Sequence, residues 1–102
     1  MPIKAVFIFV APQADPEKDR NSVITPEVEV LTVAVSDYAQ AAETAHALYM
    51  DGYTAIELCG GFGIEGVAKV KQAVEARIPV GVVRFDYHPG LGHKSGDSIF
   101  GS

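Results

Sequence analysis

Apolar residues fall along this chain in blocks of two kinds that alternate. Lys4 to Val10 is a continuous apolar, aromatic and β-branched run stopped at Ala11-Pro12, the pattern of a strand buried on both faces. Val28 to Val35, rich in valine, predicts a second strand. Ser36 or Asp37 then stands as an N-cap, Gln40 follows Asp37 at capping-box spacing, and Gly52 sits where a helix end favours a left-handed residue. Between them Tyr38, Ala42, Ala45, Leu48 and Tyr49 recur at helical spacing. Thr54 to Leu58 predicts a third strand, Val67, Val70 and Val74 the buried stripe of a second helix ending near Ala76 or Arg77, and Val80 to Phe85 a fourth strand.

A strand-helix-strand-helix-strand order implies parallel pairing with right-handed crossovers. The expected fold is α/β: one domain over residues 1–102, a four-stranded, mainly parallel sheet and two long helices. The connection 11–27 is polar and carries Pro12, Pro16 and Pro26, with Asp15 placed to cap one short turn. Residues 86–102 read as an irregular, glycine-rich tail whose Ile99 and Phe100 dock on the body. Two helices are few for a sheet whose faces both need cover, so a homo-oligomer is expected to hide the second face.

Composition narrows the class of function. At 102 residues, 48% hydrophobic and 21% charged, the chain is an ordinary globular domain. Its net charge of −5 argues against nucleic acid and anionic membrane as partners, since both require clustered Lys and Arg. The run Ala5 to Ala11 is too short to span a bilayer. One cysteine without a partner suits a reducing cytoplasm.

The candidate chemistry lies at the joint of the third strand and second helix, Cys59-Gly60-Gly61-Phe62-Gly63-Ile64-Glu65-Gly66. Gly61 to Gly66 fits G-x-G-x-x-G, with Asp86 about twenty residues on, a dinucleotide fingerprint by spacing. The chain offers few strands beyond it for a second nucleotide, and no cofactor is assigned. A smaller phosphate or carboxylate needs only the free N–H groups of a helix start, while a sharp turn against the sheet would by itself account for the glycines. Cys59, at the strand end, is a candidate nucleophile or a small core residue. Glu57 and Arg84 are charges within apolar strands, placed to pair or to face a ligand.

The stretch from Asp86 to Asp97 adds His88, His93 and Lys94. Asp86, His88 and His93 are metal-ligand types, but a glycine-rich loop holds them at no fixed spacing, and no metal site is assigned. Arg84, His88, His93 and Lys94 form a cationic strip able to close over a small anion held by Gly60, Gly61, Phe62 and Gly63. Cys59, His88 or Asp86 would handle protons or bonds if a reaction occurs. A non-catalytic binding or regulatory module and a structural homo-oligomer are the alternatives.

Three segments, Phe7 to Pro12 with Ala14 to Pro16, Ala55 to Gly63, and Pro79 to Asp86 with His88 to Gly92 and Lys94 to Asp97, resemble an uncharacterised bacterial family of small α/β proteins of about this length. That likeness implies a single domain and supplies no reaction. Residues 53–86 are also similar to one strand-helix-strand unit of barrel aldolases and related phosphate binders, an analogy of fold alone.

Overall fold

The computed structural model describes residues 2–85 and 87–101. It contains β1 (Ile3–Val10), β2 (Arg20–Ile24), β3 (Val28–Val35), α1 (Tyr38–Met50), β4 (Ala55–Leu58), α2 (Ile64–Ala73), β5 (Val80–Val82) and α3 (Gly96–Phe100), with a 3-10 turn at Pro89–Leu91. The strands lie in the order β2-β3-β1-β4-β5, parallel except for the antiparallel edge β2.

The sheet thus has five strands where the apolar pattern predicts four. The extra one, β2, lies inside the proline-bounded connection 11–27, and its Val23 and Ile24 are 68% and 69% exposed. No core-facing alternation marks it. It is a strand because the chain doubles back at Thr25, whose N–H donates to the Val28 carbonyl (2.8 Å) and whose hydroxyl oxygen accepts the Val28 N–H (3.0 Å). Just before it, the expected turn at Asp15 is present: the side chain accepts from the Glu17 N–H and the carbonyl from Lys18 and Asp19.

Helix α1 starts as its caps dictate. The Asp37 carboxylate accepts the Gln40 N–H at 2.8 Å, and the Gln40 side chain accepts the Ser36 N–H at 2.7 Å. Gly52 ends the segment at φ 100°. The helix buries Tyr38, Ala41, Thr44, Ala45 and Leu48, one position off the predicted stripe at Ala42. Both crossovers, β3 to β4 and β4 to β5, step the same way along the sheet, so right-handedness puts α1 and α2 on one face, in contact with each other. Val6 lies between Leu31 and Ile56, and Ile8 between Val33 and Leu58, giving two buried rows beneath those helices.

Among the described residues, no helix covers the opposite face. The tail 87–101 goes elsewhere: α3 packs on α2, and Phe100 lies 6.2 Å from Tyr38, ring to ring. It is also not irregular throughout, since Ser95 caps α3 by accepting the Asp97 N–H. Among the described residues, no helix is long and apolar enough to cross a membrane.

Candidate functional site

The loop after β4 is drawn inward by one residue. Phe62 is 1% exposed and stacks on Tyr38 with ring centroids 5.3 Å apart, a contact that holds Gly60 to Gly63 below the surface. The N–H groups of Gly61, Phe62 and Gly63 are then satisfied within the chain. Gly61 donates to Cys59 Sγ (3.3 Å), Phe62 to the Cys59 carbonyl (3.1 Å) and Gly63 to the Tyr38 hydroxyl oxygen (2.9 Å).

The N-terminus of α2 is occupied in the same way. The Asp97 carboxylate accepts the N–H groups of Glu65 (3.3 Å) and Gly66 (3.4 Å), placing a negative charge where the helix dipole favours one. The Tyr38 hydroxyl lies 3.0 Å from Asp97 Oδ1 and 3.1 Å from the Gly61 carbonyl, and donates its one proton between them. Burial pushes this phenol well above its ordinary range; the Gly63 N–H opposes the shift and the Asp97 carboxylate adds to it. It is a donor, not a base. Two fingerprint glycines owe their identity to this packing: a Cβ on Gly63 would overlap the Asp97 carboxylate, and one on Gly66 would lie 2.6 Å from Tyr38 Cζ. At these two glycines the approaching groups are side chains of the same chain.

The predicted site residues that are described separate into four places. Gly60 to Gly63 are buried as described, with the Phe85 ring lying against Gly60. Cys59 is half-buried and its sulfur accepts the Gly61 N–H. His88 caps the 3-10 turn, its Nδ1 accepting the Gly90 N–H at 3.0 Å and its ring 4.8 Å from that of Phe85. Exposed Lys94 pairs with His88 through a backbone bridge, and His93 is exposed at φ 60°. Glu57 is exposed on the uncovered sheet face, in register with Phe7 and Gly81. Asp86 lies outside the described residues. Among the described residues, no cluster of three or more His, Cys, Asp or Glu could hold a metal ion.

Arg84 borders a recess. Two adjoining cavities share Gly63, Ile64 and Arg84 in their walls. The inner one, about 290 Å³, is lined by Phe62, Val67, Ala68 and Val82 with Lys71 at its rim; the outer, about 330 Å³, by Phe85, Tyr87, Ser95 and Asp97. Together they form a cleft between α2, the end of β5 and the tail, outside the carboxyl ends of parallel strands, where open α/β sheets place ligands. Sequence reasoning placed Tyr38 on the buried stripe of the first helix but missed what its hydroxyl does, and it missed Ser95 and Asp97 as caps. The available signal was Ser95-Gly96-Asp97, a short cap pattern beside a glycine able to approach another backbone.

A family model described as "Family of unknown function (DUF6506)" matches residues 3–98. Comparison with curated proteins and with solved structures returns no match.

Proposed function

The chain belongs to this family of unknown function, and we propose that it binds a small organic anion with an apolar body in the cleft between α2, the end of β5 and the tail. The carrying observation is that the two cavities join at Gly63, Ile64 and Arg84, so that an apolar floor continues into a rim with two cations, Arg84 and Lys71. An apolar body on Phe62, Val67, Ala68 and Val82 supplies burial, while a carboxylate or phosphate monoester meets the guanidinium, whose five donors serve several acceptors at once.

This differs from an anion seated on the loop amides. Those N–H groups already have partners, and Asp97 holds the helix start with a carboxylate of its own. The reading is one of binding, not turnover, because neither Cys59 nor His88 lines either cavity. A reducing, cytoplasmic setting suits the single thiol.

The test is native mass spectrometry of freshly purified protein followed by titration calorimetry with a panel of aryl and alkyl carboxylates and phosphate monoesters. At least one compound should bind at sub-millimolar affinity. Arg84→Gln should weaken it about tenfold, the scale of one charge-assisted pair, and Ala68→Phe, filling the floor at an exposed helix position, should abolish it with the fold intact. Absence of any sub-millimolar binder, or binding indifferent to both substitutions, overturns the reading.

A further inference from the structure

We propose that the uncovered face of the sheet is a twofold interface, closed by a second copy of this chain.

The face is apolar for a surface. Ile3, Val23 and Val83 are 55%, 68% and 53% exposed on it, and the half-buried rings of Phe7 and Phe9 stand along its central strand. Parallel strands are seldom left bare on one side, because their apolar side chains point both ways. With about 3.3 Å per residue and about 4.8 Å between strands, the five strands offer a flat footprint on the order of 450 Å². Counting side-chain relief, two stacked faces bury about 1,000 Å², the level at which an interface becomes specific.

The face complements itself. Ile8 is level with Leu58 and Leu58 with Val82, so Val83 stands level with Phe9 at the far side of the sheet. On the near side, between the levels of Phe7 and Phe9, lies a hollow of about 360 Å³ bordered by Phe9, Asn21 and Thr32 and by Lys18, Asp19 and Arg20, two cations against one acid. A twofold axis running along β1 carries β5 of one copy over β2 of the other, and with it the exposed Val83 onto that hollow. The same operation brings β4 over β3, so that Glu57, level with Thr32 through Phe7, arrives beside Lys18 of the opposite copy. Knob and hollow, and acid and base, occur on one surface on opposite sides of the axis. That arrangement satisfies an isologous contact, in which one surface supplies both halves of each match.

Edge-to-edge pairing through β2 is a poorer route to a dimer, since the Asn21 side chain already accepts the Ser22 N–H on that strand.

Sedimentation velocity and light scattering of the full chain from about 1 to about 200 µM provide the test. The expected mass is twice 10.8 kDa. Thr32→Glu, which sets a carboxylate opposite Glu57 of the other copy, should raise the dissociation constant at least about tenfold while leaving the chain folded. Glu57→Lys and Lys18→Glu should each raise the dimer dissociation constant about tenfold, because two symmetric pairs become repulsive together, and the double swap should return it to within about threefold of the wild type. A monomer throughout the range overturns the proposal, as does a dimer whose affinity ignores the charge swaps; should Thr32→Glu not fold, the swaps decide alone.

Discussion

Tyr38, the first residue of α1, holds its hydroxyl 3.0 Å from the carboxylate of Asp97, 59 positions later in the chain. Through this contact the C-terminal tail is fastened to the start of α1. The carboxylate also accepts two N–H groups of the first turn of α2, and so takes the place a bound anion would have had.

Removing the carboxylate should loosen the tail. Asp97→Ala is expected to cost about 2 kcal/mol, the scale of losing charged hydrogen bonds to amide and hydroxyl donors. Urea unfolding measures the cost, and hydrogen exchange should show faster exchange at Glu65 and Gly66, with β1 and β3 unaffected.

The stability of the protein should fall in alkali, with Tyr38 as one cause. Burial raises this phenol above its ordinary 10.0, against the pull of the Gly63 N–H and with the help of Asp97. The folded state therefore holds the proton more tightly than the unfolded chain does. The contribution is fully present below about pH 10 and is lost as pH climbs toward the folded value. Tyr53, raised by burial and by Glu29, acts in the same direction. Tyr38→Phe, though less stable at neutral pH, should show a shallower decline in urea midpoint between about pH 10 and about pH 11.5. An unchanged slope would remove Tyr38 from the linkage.

Gly63 and Asp97 should behave as one unit. A Cβ at Gly63 falls on the carboxylate, so Gly63→Ala is expected to destabilise by about 1–3 kcal/mol, the range of overpacked sites. With Asp97→Ala already present the clash is gone, and the double variant should be clearly more stable than the sum of the single effects implies. A double-mutant cycle by urea unfolding checks this; strict additivity would show that the two residues do not meet.

Helix α2 ends with Glu75 and Ala76 both left-handed, at φ 55° and 53°. The turn is kept by the Ala76 N–H donating to the Lys71 carbonyl at 2.9 Å. Side chains other than glycine lose about 1–2 kcal/mol in that region. Ala76→Gly should therefore raise the melting temperature, by the equivalent of about 0.5–1 kcal/mol after the extra freedom of the unfolded chain is subtracted.

Much of this architecture is legible before any coordinates. The runs at Lys4 to Val10 and Val28 to Val35 are strands because buried parallel strands need unbroken β-branched sequence, and Asp37 with Gln40 starts α1 because a helix leaves its first N–H groups unpaired. These signals are local. Strand β2 was invisible because Arg20 to Ile24 lacks an apolar rhythm and is held by its pairing with β3. The glycine loop could be placed, but its use could not: G-x-G-x-x-G reads alike whether the approaching group is a phosphate or a side chain of the same protein.

What the residue order determined alone is the set of contacts made within about a turn of helix or along one strand: the caps, the alternation of strand and helix, the parallel sense and the acidic, cysteine-poor character. Only the tertiary fold decided that Tyr38 and Asp97 close the start of α2, that Arg84 and Lys71 border one cleft, and that both long helices share a face. Those relations join residues tens of positions apart, where closure of the chain around a common core, rather than the preference of any short segment, selects the partner.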